Sequence, residues 1–155
     1  LHLTSAYQTD AGSNPVNYDA WYFRAETSAM VGPVNLGLGG ELLGSDNGKA
    51  SFKFPLGTNH KFNGFADAFL VTPAGGLRDY YVSVGTTCPL GVNHKLIFHY
   101  FQSDESGDHL GNELDYVAVK KLCDNFTVVG KVGYLDGTSL QKDVLRASIQ
   151  VDYSF

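Results

Sequence analysis

The carboxy-terminal stretch VLRASIQVDYSF alternates between apolar and polar side chains without interruption. Leu145, Ala147, Ile149, Val151, Tyr153 and Phe155 occupy one set of positions, and Arg146, Ser148, Gln150, Asp152 and Ser154 occupy the other. Successive side chains of a β-strand point to opposite faces, whereas a helix repeats every 3.6 residues. The pattern therefore predicts a terminal β-strand with one apolar face and one polar face.

The same period recurs along the whole chain, and no helical period is sustained. The eight predicted strands cover residues 1–8, 18–29, 34–43, 78–86, 94–101, 112–120, 126–134 and 145–155. Long and short connections alternate between them, as in an up-and-down antiparallel sheet whose two ends differ. We therefore predict a single all-β domain over residues 1–155, with a long external loop at 44–76. The fold class is an antiparallel up-and-down transmembrane β-barrel, complete in this chain or part of a larger barrel.

Composition and charge exclude several classes of function. A net charge of −5 without a basic stripe argues against a nucleic-acid partner. No apolar run approaches the ~18 residues that a spanning helix needs, and LHLTSAYQTD lacks the basic and apolar regions of a signal peptide. No catalytic arrangement, metal-ligand cluster or cofactor motif emerges, so we expect a non-enzymatic protein without a cofactor. The acidic loop 104–115 offers oxygen ligands for calcium, but its spacing does not match a helix–loop–helix site and a solvated loop is the simpler interpretation.

Three features indicate which face points outward. The polar faces carry many small residues, which an enclosed lumen can use and an exposed strand cannot. They also carry charges of mixed sign, with few of the lysines that commonly protect exposed sheets. Aromatic residues gather toward strand ends on the apolar faces, as in the girdles of membrane barrels. The pattern favours an apolar face toward lipid and a polar face toward a lumen. A soluble lipocalin-like barrel with its apolar face inside is the alternative.

With the polar faces inward, the pore-lining residues follow from the period of two. They are Arg24, Glu26, Glu41, Asp79, Lys95, His99, Glu113, Asp115, Lys131, Arg146 and Asp152. Within the long loop, a helix over residues 64–70 capped by Asn63 is predicted from the spacing of its apolar residues. One interpretation makes this loop a constriction formed by His60, Lys61, Phe62 and Asn63. The other makes it a cap on the rim of the barrel.

Two cysteines lie in short turns at the same end of the predicted sheet. Cys88 follows the fourth strand and Cys123 follows the sixth. If the turns lean toward each other, a disulfide between them can form in an oxidising compartment. Free thiols are the alternative.

Two stretches and the chain's last residue carry a resemblance to a known family. FPLGTNHKFNGFADAFLVTPAGGLRDYYVSVG and LIFHYFQSDESGDHLGNELDYVAVKK, with the terminal Phe155, resemble the carboxy-terminal part of bacterial outer-membrane porins of the alginate-export type. The resemblance implies a passive channel in a Gram-negative outer membrane, with membrane lipid and a small polar or saccharide solute as partners.

The resemblance also implies a chain longer than this one, and porins often form homo-oligomers. Acidic residues outnumber basic ones on the predicted lining, which departs from a strongly anion-selective channel. A small closed barrel with a structural or adhesion role is the alternative function.

Overall fold

The structure is a computed structural model that describes residues 1–54 and 63–155, all of them in strands, turns and irregular segments. The described part contains no helix long and apolar enough to cross a membrane. The strands are β1 (His2–Thr9), β2 (Asp19–Val31), β3 (Val34–Leu43), β4 (Ser45–Asp46), β5 (Ala50–Ser51), β6 (Leu77–Thr87), β7 (Val92–Gln102), β8 (His109–Cys123), β9 (Phe126–Gly137) and β10 (Val144–Tyr153).

Eight of these strands form one up-and-down antiparallel sheet in the order β1-β2-β3-β6-β7-β8-β9-β10. This confirms the all-β fold and the eight predicted strands. The sheet is open, because β1 and β10 each pair with one neighbour and not with each other. The two-residue strands β4 and β5 form a separate small hairpin that the alternation did not predict. Its turn spans residues 47–49, where Asn47 and Gly48 have positive φ angles of 50° and 70°, a conformation that Asn and Gly adopt readily.

The connections alternate in length as the sequence predicted. Short ones span residues 32–33, 88–91 and 124–125, and all three lie at one end of the sheet. Longer ones span 10–18, 44–76, 103–108 and 138–143 at the other end. We call these the short-turn end and the long-loop end.

The two faces of the sheet differ sharply in exposure. On the apolar face, large side chains remain between 37% and 82% exposed, from Tyr116 to Ile149. On the polar face, Asp79 is 1% exposed and Glu113 and Asp115 are 0% exposed. Buried carboxylates opposite an exposed apolar surface reverse the usual arrangement of a water-soluble sheet. In the described residues the apolar face is therefore the exposed one, and part of the polar face is covered.

The polar face is not polar along its whole length, contrary to the simplest reading of the alternation. At the long-loop end it carries an apolar cluster that includes Leu43, Leu77, Phe101 and Leu135, each at most 2% exposed. Part of the long loop packs against them, with Phe69 6% exposed. Burying these side chains stabilises the folded loop, since a fully buried Leu or Phe contributes about 1.5–3 kcal/mol.

The predicted helix over residues 64–70 is wrong. The backbone there consists of bends and turns, and no helix occurs in the described residues. Asn63 and Asp67 adopt left-handed φ angles of 53° and 58°, which interrupt any helix. The apolar residues at near-helical spacing are satisfied instead by contact with the sheet.

The predicted disulfide is also absent, because Cys88 and Cys123 are both free. Cys88 donates its backbone N–H to Val92, which pairs with Lys120 on β8. Cys123 lies three residues beyond Lys120. Cys88 directly follows β6 and Cys123 ends β8, so β7 lies between them in the sheet. Two strand spacings and three residues place the cysteines about 14 Å apart, beyond the ~7 Å that a disulfide can bridge.

Candidate functional site

Buried ionisable side chains form two adjoining rungs across the middle of the polar face. Backbone pairing places Glu41 opposite Asp79, and His99 opposite Glu113. Asp115 lies two residues beyond Glu113 on the same face of β8. All five are at most 6% exposed. We call Glu41, Asp79, His99, Glu113 and Asp115 the acidic cluster.

His99 is the central cation of this cluster. Its Nδ1 lies 2.8 Å from Asp79 Oδ1, and its Nε2 lies 3.5 Å from Asp115 Oδ2. The imidazole therefore bridges carboxylates on the neighbouring strands β6 and β8. Its ring also stacks on Phe101, with ring centroids 5.5 Å apart, at the border of the apolar cluster. Ionic partners on both sides fix the ring in one orientation.

Residues 63–69 of the long loop lie directly on the acidic cluster, and we call them the docked segment. Asn63 is 8% exposed and donates its side-chain amide to Glu41 Oε2 at 2.8 Å. The same amide lies 3.5 Å from Asp79 Oδ2. Glu41 also accepts the buried hydroxyl of Tyr22. Asn63 is therefore an anchor of the segment, and its predicted role as a helix cap is replaced by this contact.

Two consecutive main-chain amides of the docked segment bind carboxylates on β8. Phe65 N donates to Asp115 Oδ2 at 2.9 Å, and Ala66 N donates to Glu113 Oε1 at 2.7 Å. Ala66 is 0% exposed. Hydrogen bonds with an ionised acceptor are roughly twice as strong as neutral ones. The carboxylates thus satisfy backbone donors that would otherwise be buried without partners.

Contacts at the far side of the segment reach β9 and β10. Asp67 Oδ2 lies 3.0 Å from Arg146 Nη1, and Lys131 Nζ lies 4.9 Å from the centroid of the Phe65 ring. β10 is five places from β3 in the sheet order. Seven residues of loop are therefore tied to strands across most of the sheet.

Glycines stand on both sides of the contact. A Cβ on Gly64 would lie 2.4 Å from the Glu113 carboxylate, and Gly64 has a φ of +86°. A Cβ on Gly133 of β9 would lie 2.7 Å from Ala66 N and 2.6 Å from Asp115 Oδ1. Both distances are too short for a real side chain. The main chain of the segment can approach the sheet only because neither position carries a side chain.

The remaining predicted lining residues lie outside the docked contact. Arg24 pairs with Glu26 at 2.8 Å, and Tyr81 donates its hydroxyl to Glu26 at 2.9 Å. Lys95 is exposed and has no acidic partner among the described residues. Asp152 is exposed and accepts the Gln150 side-chain amide at 2.6 Å. These groups face the part of the polar face that the segment leaves open.

A hollow of about 360 Å³ lies between the docked segment and the short-turn end. Glu26, Tyr81 and Lys95 line it, with the small residues Gly37 and Ser83. It offers a carboxylate, an ammonium and hydroxyl groups to a polar solute. Such a surface can hydrogen-bond a hydrated ion or a sugar.

Three predicted constriction residues, His60, Lys61 and Phe62, lie outside the described residues. Within the described ranges, no group of three or more His, Cys, Asp or Glu side chains is placed to hold a metal ion. The loop over residues 103–108 instead serves as an anchor, since Asp104 pairs with Arg78 at 2.9 Å.

Comparison with known proteins gives no match to a family model, a curated protein or a solved structure.

The sequence identified the charged residues of the polar face but not their common partner. It placed Glu113 and Asp115 in a water-filled lumen, whereas the docked segment covers them. A signal for this contact was present in the sequence. Gly133 interrupts an inward-facing column of β9, where a small residue permits close approach of another backbone.

Proposed function

We propose that this chain forms the wall of a channel in a bacterial outer membrane, with its apolar face against lipid and its polar face toward an aqueous lumen. The carrying observation is the exposure of large apolar side chains along the sheet while carboxylates opposite them are enclosed. In a membrane barrel, outward apolar and inward polar residues alternate in this way. The resemblance to alginate-export porins in the sequence leads to the same proposal.

The docked segment gives this channel its constriction. It lies across the polar face and is held to β3, β8 and β10 by Asn63, by two main-chain amides and by Asp67. The interior of an eight-stranded barrel is just filled by side chains, with no room for a second layer of main chain. We therefore propose a wider barrel, in which further strands pair with the free edges of β1 and β10.

The docked segment also changes which charges a solute meets. The acidic cluster is enclosed, so its four carboxylates are removed from the accessible lining. Lys95 is exposed without an acidic partner among the described residues, whereas Arg146, 43% exposed, pairs with Asp67 and the exposed Asp152 accepts a hydrogen bond from Gln150. Glu26 is balanced by Arg24. The excess of acidic residues in the sequence therefore does not make the lining acidic, and we propose passive passage of small polar or saccharide solutes with a preference for anions.

The test is conductance, in planar lipid bilayers, of the purified protein together with the strands that close its barrel. We expect discrete conductance steps and a reversal potential, in a salt gradient, of the sign that anions give. Lys95→Glu is expected to move that potential toward cation preference. Lys142→Glu, with the same charge change in the loop over residues 138–143, is the control and is expected to leave it unchanged.

The result against the proposal is equally concrete. A chain that inserts into the bilayer as folded protein without any conductance step would exclude a channel. It would favour a closed barrel with a structural role, which the filling of the polar face by the docked segment would then explain. A soluble ligand-binding barrel requires the apolar face inside, and the exposure of that face does not support it.

A further inference from the structure

We propose that Glu113 and Asp115 are positioning residues that set the bore of the channel by holding the main chain of the docked segment, and that they do not set its charge selectivity. This inference rests on the proposed channel function. It assigns two lining residues a mechanical role in place of the electrostatic role that the sequence suggests.

The first argument is the nature of the bonded groups. Both carboxylates bind backbone N–H groups, at 2.9 Å for Phe65 and 2.7 Å for Ala66. These donors are present whatever side chains the segment carries. A carboxylate that binds main chain therefore fixes where the segment lies, and the path of the segment determines how much of the lumen stays open.

The second argument is burial. Glu113 and Asp115 are 0% exposed, so a solute in the lumen cannot contact them. Other charged groups also surround the pair on every packed element. They are Glu41 on β3, Asp79 on β6, His99 on β7, Lys131 on β9, Arg146 on β10 and Asp67 on the docked segment. The basic members of this set, His99, Lys131 and Arg146, offset part of the negative charge of the surrounding carboxyl groups.

The third argument is that one oxygen of each carboxylate accepts no hydrogen bond from the described residues. Glu113 Oε2 and Asp115 Oδ1 have no hydrogen-bond partner in the described part of the chain. A side-chain amide at either position keeps the oxygen that binds the segment and replaces the unpartnered oxygen with an NH₂ group. Amide variants therefore separate the acceptor from the charge.

The experiment compares two double variants in the same bilayer assay. Glu113→Ala with Asp115→Ala removes both acceptors, and we expect higher conductance with an unchanged reversal potential. Glu113→Gln with Asp115→Asn keeps both acceptors without charge, and we expect wild-type conductance and reversal potential. An alanine pair with wild-type conductance would overturn the proposal. So would an amide pair that shifts the reversal potential.

A variant on the segment side guards against failure of the alanine pair to fold. Gly64→Ala leaves both carboxylates in place and puts a methyl group against Glu113. We expect conductance to rise in this variant also. Gly48→Ala is the matched control, because Gly48 has a similar φ of +70° and open space around it. Equal conductance in the two glycine variants would contradict the proposed contact between the docked segment and Glu113.

A second readout does not depend on conductance. Ala68→Cys, made with Cys88 and Cys123 replaced by Ser, reports how often the segment leaves the sheet through its reaction with a water-soluble thiol reagent. Ala68 is partly buried, and loss of the two hydrogen bonds is expected to raise the labelling rate in the alanine pair and not in the amide pair. A wild-type chain without conductance would refute the channel, whereas equal labelling in both pairs would refute the positioning role.

Discussion

The contact between Gly133 and the docked segment allows the effect of adding one methyl group at Gly133 to be calculated. In Gly133→Ala the new Cβ would lie 2.7 Å from Ala66 N and 2.9 Å from Phe65 C. Ordinary contact begins near 3.4 Å, so the segment must retreat by about 0.7 Å, which is 3.4 minus 2.7. Hydrogen bonds of 2.7 and 2.9 Å then lengthen to about 3.4 and 3.6 Å, beyond the usual range of about 2.7–3.2 Å.

A hydrogen bond of this kind contributes about 0.5–1.5 kcal/mol with a neutral acceptor and about 1.5–3 kcal/mol with an ionised one. Loss of both sets an upper range of about 3–6 kcal/mol, and relaxation of the Asp115 side chain lowers it to about 3 kcal/mol. Because 1.4 kcal/mol corresponds to a factor of ten, the segment is expected to open about 100-fold more often. The effect is local, since the strand pairs of β9 do not use the segment.

Hydrogen exchange of the Phe65 and Ala66 amides, followed on the full chain in detergent micelles, measures this opening directly. Gly130→Ala is the matched control on the same strand, because a Cβ at Gly130 meets nothing within 4 Å. We expect exchange to quicken about 100-fold in Gly133→Ala and to stay at the wild-type rate in Gly130→Ala. Unchanged exchange in Gly133→Ala, or the same change in both variants, would refute the close contact between sheet and segment.

Two further predictions concern the turns and the apolar cluster. A hydrogen bond with His94 lowers the pKa of the Cys88 thiol to about 7, so at pH 7 Cys88 should alkylate faster than Cys123, and His94→Ala should remove that difference; equal rates in the wild type would contradict it. Phe101→Ala should lower the free energy of unfolding by about 3–5 kcal/mol in a denaturant titration, because the side chain is 0% exposed. Phe98→Ala on the exposed apolar face should lower the free energy of unfolding clearly less in the same titration. Equal losses in the two variants would place the apolar cluster elsewhere.

Much of the fold follows from local sequence because each strand carries its own alternation. In β10, every residue from Leu145 to Tyr153 could be assigned to a face before its partner strand was known. The assigned faces agree with the pairing of Arg146 with Gly133 and of Ile149 with Gly130. Antiparallel neighbours joined by short turns require no long-range information.

The docked segment could not be predicted in the same way, because its hydrogen bonds to β3 and β8 join residues that are 22 to 50 positions apart. Phe65 binds Asp115, and Asn63 binds Glu41, through single hydrogen bonds that leave no periodic trace. Its apolar spacing suggested a helix, but the left-handed Asn63 and Asp67 allow the backbone to bind side chains of the sheet instead of itself. Tertiary contact overrides local propensity at such sites.

The residues of the acidic cluster themselves gave no signal of their burial, for a related reason. Glu113 and Asp115 have the same alternation as a solvated strand, and only the loop that covers them distinguishes a lining charge from a structural one. Counting charges on the polar face therefore includes carboxyl groups that the docked segment covers. Which charges remain accessible depends on the path of the docked segment.

The most direct test of the account asks, by fluorescence quenching, whether Trp21 lies in lipid or in water. It is the only tryptophan in the chain and lies 52% exposed on the apolar face. In lipid vesicles containing the full chain, we expect phospholipids with brominated acyl chains to quench its fluorescence strongly and aqueous iodide to quench it weakly. Strong quenching by iodide with no effect of brominated lipid would place the apolar face in water and contradict the proposed membrane channel.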